Sequence, residues 1–132
     1  VSKAGGCLCG DVRFRIEGET GRVTACHCTQ CQRWSGTYWS SVSVPQDALV
    51  IEHGAESLAW YPSSERAERG FCVICGASLF WRQIDEAAPH VAVAIGALDQ
   101  PTGLSVDLHI FTADKGDAYQ IGGDAPRAAG DG

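Results

Sequence analysis

Gly6-Cys7-Leu8-Cys9-Gly10-Asp11-Val12-Arg13-Phe14-Arg15-Ile16 is the stretch from which the fold class is read. Its second half alternates. Val12, Phe14 and Ile16 fall on one face and Arg13 and Arg15 on the other, the period of a strand with one buried side. Its first half is a Cys-x-Cys-Gly turn, where glycine lets the backbone bend sharply and aim N–H groups at the sulfurs. Both themes recur. Cysteines return as Cys26-His27-Cys28-Thr29-Gln30-Cys31 and as Cys72-Val73-Ile74-Cys75-Gly76. Further short runs closed by turn residues predict strands over 37–44, 49–52, 57–61, 77–82 and 91–95, the last the most buried, with shorter ones at 108–111 and 118–121. One short helix is expected at most, over 64–69, because Gly70 stops it after the first few bonds. A helical turn is expected near Pro45-Gln46-Asp47. The pattern is that of an all-β protein, a small sandwich or folded-over sheet.

The length of 132 residues suits a single domain. With 45% hydrophobic and 20% charged residues, the chain is neither disordered nor a long coiled coil. The net charge of -6 leaves no sequence-wide basic footprint, so no nucleic-acid partner is expected. No apolar run approaches ~18 residues, so no membrane partner is expected either. Val1-Ser2-Lys3-Ala4-Gly5-Gly6 lacks the apolar stretch of a secretory signal, which suggests a cytoplasmic protein in a reducing compartment. Residues 1–121 are expected to form the domain. Residues 122–132, all Gly, Ala and Asp apart from Pro126 and Arg127, are expected to be a loose, flexible C-terminal tail.

Seven cysteines in three tight clusters carry the chemistry. An odd count argues against a closed disulfide framework, and thiols one or two residues apart seldom reach bridging geometry. A redox pair at Cys72 and Cys75 would leave five thiols unexplained. Metal is the economical reading, and thiolates without a run of His or carboxylates favour zinc or an iron–sulfur centre. Because Gly follows both Cys9 and Cys75, Cys7, Cys9, Cys72 and Cys75 group as one closed, structural tetrahedron. Cys26, Cys28 and Cys31 lie close together with Gln32 in place of the glycine. Three ligands and a vacant fourth position suit a catalytic zinc. A closed site completed by His27, His53, His90 or His109 is the alternative, although a ring between two ligating cysteines should point away. His27 as proton shuttle and Arg33 and Arg69 as substrate contacts are the weaker candidates, each with a structural alternative. Trp34, Trp39 and Trp60 could line a pocket or simply fill the core. Ser63-Ser64 is first of all a turn.

Several of these motifs stand together in one known family. Gly6-Cys7-Leu8-Cys9-Gly10-Asp11-Val12, Cys26-His27-Cys28-Thr29-Gln30-Cys31 with Arg33 and Ser35-Gly36, and Arg69-Gly70-Phe71-Cys72-Val73-Ile74-Cys75-Gly76 with Leu79 and Trp81 carry the likeness. So do Gly96-Ala97-Leu98-Asp99 and His109-Ile110-Phe111 with Lys115. The chain resembles the glutathione-dependent formaldehyde-activating (GFA) family, which includes centromere protein V. The resemblance implies a β-tent fold of folded antiparallel sheets with two zinc ions. It implies that Cys7, Cys9, Cys72 and Cys75 hold the structural zinc and that Cys26, Cys28 and Cys31 hold the catalytic one. It also implies a carbon–sulfur lyase that joins formaldehyde to glutathione as S-hydroxymethylglutathione. Where the family often carries a Trp after its His-x-Phe element, this chain has Gly116-Asp117-Ala118-Tyr119. The expected partners are a small, glutathione-like thiol and a small aldehyde or their adduct. The alternative is a non-catalytic interaction module with both zincs structural.

Overall fold

The computed structural model describes residues 2–132 and is built mostly of strands, with one short helix. The strands are β1 (Lys3–Gly6), β2 (Arg13–Ile16), β3 (Val23–Cys26), β4 (Trp39–Pro45), β5 (Leu49–His53), β6 (Leu58–Pro62), β7 (Ala67–Cys72), β8 (Ser78–Gln83), β9 (His90–Ala94) and β10 (Leu108–Ile110), and the helix is α1 (Thr29–Ser35). They divide into two compact units, one of residues 2–21 and 42–102, the other of residues 22–41 and 103–132. β4 begins in the second unit and ends in the first.

In the first unit, β1, β2 and β5 form an antiparallel sheet, and β9, β8, β7 and β6 pair antiparallel in that order. The alternation along 12–16 is realised as expected. Val12, Phe14 and Ile16 are fully buried. Arg13 turns outward to Asp99 at 2.7 Å, and Arg15 to Glu17 at 2.7 Å and Glu52 at 2.6 Å. Phe14 meets Phe80 of β8 edge to face, with ring centroids 5.2 Å apart. Burying side chains of this size contributes about 1.5–3 kcal/mol each. Trp60 also stacks on Phe80 at 6.0 Å, and the Arg82 guanidinium covers Trp60 at 3.6 Å while holding Glu68 at 2.7 Å.

In the second unit β10 pairs with β3 in parallel, so the sheets are not wholly antiparallel as expected. The 122–132 segment, expected as a loose tail, lies along β10. His109 N donates to Pro126 O at 2.9 Å, Ala128 N to His109 O at 2.8 Å and Phe111 N to Gly130 O at 2.7 Å. β10 stands at a sheet edge, where backbone groups need partners and a Gly/Ala segment can approach without steric conflict.

Other local expectations change for definable reasons. The helix over 64–69 does not form. Ser64 Oγ instead accepts from the Arg66 and Ala67 amides at 3.3 and 3.1 Å, a serine turn that leads into β7. Residues 118–121 are not a strand. The helix that does form, α1, starts at Cys28, whose Sγ accepts from Cys31 N at 3.3 Å, and ends where Gly36 N donates to Gln32 O at 2.8 Å. The turn near Pro45 is present as a single 3₁₀ turn over Gln46–Ala48. Among the described residues no helix is long and apolar enough to cross a membrane.

Candidate metal centres

Four thiols converge in the first unit. Cys7 and Cys9 leave the end of β1, Cys72 ends β7, and Cys75 stands in the turn before β8. All four sulfurs lie within 4.8 Å of one another, with Cys7–Cys9 at 3.6 Å and Cys9–Cys72 at 3.8 Å. Gly10 and Gly76 close the two turns at φ +83° and +77°, a conformation that costs residues with a Cβ about 1–2 kcal/mol. Backbone donors serve the sulfurs, as Val12 N does for Cys7 at 3.2 Å. The thiols perturb one another. The Cys9 and Ala77 amides draw the Cys75 thiol down to about 6. The Asp11 amide pulls on Cys9 in the same direction, but burial and the neighbouring Cys7, Cys75 and Cys72 push it up to about 12. Four sulfurs this close cannot all ionise without a cation among them, and soft thiolate donors suit zinc or iron.

Three thiols converge in the second unit. Cys26 ends β3, Cys28 caps α1, and Cys31 lies one turn into the helix, so a single strand-to-helix turn gathers all three within 4.8 Å. The Cys26 thiol is pushed well up, first by the Cys31 sulfur and then by burial. Among the described residues no fourth His, Cys, Asp or Glu joins this group. His27 is fully buried, and both of its ring nitrogens are engaged: Nδ1 with Tyr119 Oη at 2.8 Å and Nε2 with His109 Nδ1 at 3.0 Å.

Around His27 the chain is firmly held. Gln32 Nε2 donates to the His27 and Asp114 carbonyls at 2.8 and 2.9 Å. Lys115 Nζ donates to the Gly116 and Tyr119 carbonyls at 2.5 Å each and lies 4.8 Å from the Tyr119 ring centroid. Tyr38 packs on His27 with ring centroids 4.9 Å apart. A cavity of about 390 Å³ opens here, lined by His27, Tyr38, Val106, His109 and residues 120–125. None of the tryptophans lines it. Arg33 is exposed on the last turn of α1, whereas Arg69 is buried on β7 in the first unit, in register with Tyr61 and Trp81. Sequence reasoning reached His27 but not its partners. The His109-Ile110-Phe111 element was a usable signal for His109, while Tyr119 lay in a stretch expected to be a strand.

A family model described as glutathione-dependent formaldehyde-activating enzyme matches residues 2–114, which include all seven cysteines. The chain belongs to that family. An uncharacterised lyase of Schizosaccharomyces pombe is 29% identical over 117 residues, covering 89% of this chain and 83% of the relative. A Halomonas elongata protein named for the family's activity is 33% identical over 84 residues, 58% of this chain and 53% of its own length. The crystal structure of a Rhodobacter sphaeroides protein superposes with a TM-score of 0.59 at 22% identity, covering 94% of this chain and 98% of that one. It shares the fold.

Proposed function

We propose that this member of the family is a zinc-dependent carbon–sulfur lyase that joins a small thiol to a small aldehyde, or cleaves their adduct, at the three-cysteine cluster. The observation that carries the reading is the convergence of the Cys26, Cys28 and Cys31 thiols in one turn, with both nitrogens of the neighbouring His27 engaged elsewhere and, among the described residues, no fourth His, Cys, Asp or Glu in the group. Cys7, Cys9, Cys72 and Cys75 would hold a structural zinc, and the three cysteines a second one. When bound there, zinc supplies Lewis acidity that lowers the pKa of a thiol or water entering its coordination sphere. In the synthetic direction the thiol sulfur forms a bond to the aldehyde carbon. The C=O π pair moves to oxygen, which takes a proton as the thiol gives one up. The chain's part is to hold and orient: Gln32 fixes the turn that carries His27, and Tyr38 walls the cavity beside it. Exposed Arg33, on the helix that carries Cys31, would meet a substrate carboxylate. Glutathione or a similar small thiol is the substrate class, and the reaction would run in the cytoplasm.

The test is calorimetric titration of the zinc-loaded protein with glutathione, S-methylglutathione and cysteine. Binding of the thiols but not of the S-methyl compound is expected, together with severalfold weaker glutathione binding in Arg33→Ala. Equal affinity for glutathione and its S-methyl form means that the sulfur does not reach the metal, and the reading fails.

A second reading, a non-catalytic interaction module, has one observation in its favour. Leu8, Val73 and Ile74, at the tips of the two four-cysteine turns, are 87%, 56% and 63% exposed. X-ray absorption separates the two. A histidine imidazole as fourth ligand at the second zinc favours the module, and a water or added thiol in that position favours the lyase.

A further inference from the structure

The hydrogen-bond chain Tyr119–His27–His109 has a direction. Tyr119 Oη lies 2.8 Å from His27 Nδ1, and His27 Nε2 lies 3.0 Å from His109 Nδ1. Each link shares one hydrogen, so the orientation at one end sets the other. A phenol is a far stronger donor than a neutral imidazole N–H. Tyr119 therefore donates to His27 Nδ1. His27 then carries its hydrogen on Nε2 and donates it to His109 Nδ1, so His109 carries its hydrogen on Nε2. Both rings are buried. His109 lines the cavity, and with Nδ1 taken by His27, Nε2 is the polar atom that its ring has left for a ligand.

We infer that His109 Nε2–H donates a hydrogen bond to the ligand of this cavity, that the group it takes is a neutral oxygen acceptor such as an aldehyde carbonyl or a hydroxymethyl oxygen, and that Tyr119 sets this polarity through His27 as a positioning residue. The remaining lining agrees with a neutral group. Asp124 is the charged side chain of the cavity wall, and its carboxylate opposes a second anion. A volume of about 390 Å³ is ample for a small aldehyde or its adduct. Tyr119 is itself kept in place by Lys115, which bonds its carbonyl at 2.5 Å. The inference rests on the lyase reading only for the ligand's chemical class.

The test uses zinc-loaded protein carrying ¹⁵N-labelled histidine, with the tautomer of each ring read from long-range ¹H–¹⁵N correlations. Nε2–H on both His27 and His109 is expected. Formamide, an unreactive carbonyl close to formaldehyde in size, should shift the His109 Nε2 resonance while leaving His53 and His90 unmoved. In Tyr119→Phe, His109 should lose its single tautomer, and formamide affinity should fall roughly tenfold. An Nδ1–H form of either ring in the wild type overturns the polarity, and a formamide titration that leaves His109 Nε2 unshifted overturns the ligand contact. A Tyr119→Phe protein with unchanged tautomers and affinity overturns the role of Tyr119. Should that variant fail to fold, the two wild-type measurements decide alone. No readout requires turnover or a thiol, so a failure of the lyase reading and a failure of this inference look different.

Discussion

At Gly76 a single backbone angle shapes the four-thiol turn. With φ at +77° and open space around the Cα, alanine there meets no steric neighbour and is opposed by conformation alone. Gly76→Ala should therefore cost about 1–2 kcal/mol of stability, read from denaturant unfolding of the zinc-loaded protein. A loss near zero would mean that the turn can relax. Phe80 gives the contrasting case, in which packing and not conformation decides. It is fully buried and packs on Phe14 and Trp60, so Phe80→Ala should cost about 3–5 kcal/mol in the same assay.

At the scale of elements, α1 is too short to be stable on its own; seven residues are well below what an isolated helix needs. Its support comes from its ends and from Gln32, which reaches both the His27 and the Asp114 carbonyl. Gln32→Ala should lower stability by about 1–2 kcal/mol, and the amides of α1 should lose hydrogen-exchange protection more than those of β8. Uniform loss across both would show that Gln32 does not act locally. The same helix marks how far the sequence is readable. β2, β5 and β8 announce themselves through alternation or apolar runs bounded by turn residues. α1 carries no apolar period, and its cap is a cysteine, a residue outside the usual capping set. β1, β3 and β7 were missed for a related reason. Lys3-Ala4-Gly5-Gly6 has little side chain to show a period, and β7 contains Arg69 and Gly70, which read locally as polar and as a stop. The two cysteine groupings were legible because ligand spacing is local chemistry. The bonds of His27 to Tyr119 and His109 were not, because residues 92 and 82 positions away complete them.

For the whole molecule, the two clusters should respond differently to loss of a ligand. Cys75→Ser opens the four-thiol group that joins the end of β1 to the β7–β8 turn, and it should unfold or aggregate the protein. Cys28→Ser should lose one equivalent of metal while retaining a cooperative melt. Metal stoichiometry with calorimetric melting checks both. Should Cys28→Ser collapse the protein as thoroughly as Cys75→Ser, both sites are structural, and the lyase reading loses its main support.

The spacing of the candidate ligands along the chain also governs what each ion would do before folding. Cys26, Cys28 and Cys31 are neighbours in any conformation, so an unfolded or newly made polypeptide already offers most of that chelate. Cys9 and Cys72, 63 positions apart, meet only after the strands between them have formed. An ion that binds folded and unfolded chains alike shifts their balance little, whereas one that recognises only the folded form shifts it in full. Added zinc should therefore raise the melting temperature chiefly through the distant set, and the local set would be able to capture its ion while the chain is still being made.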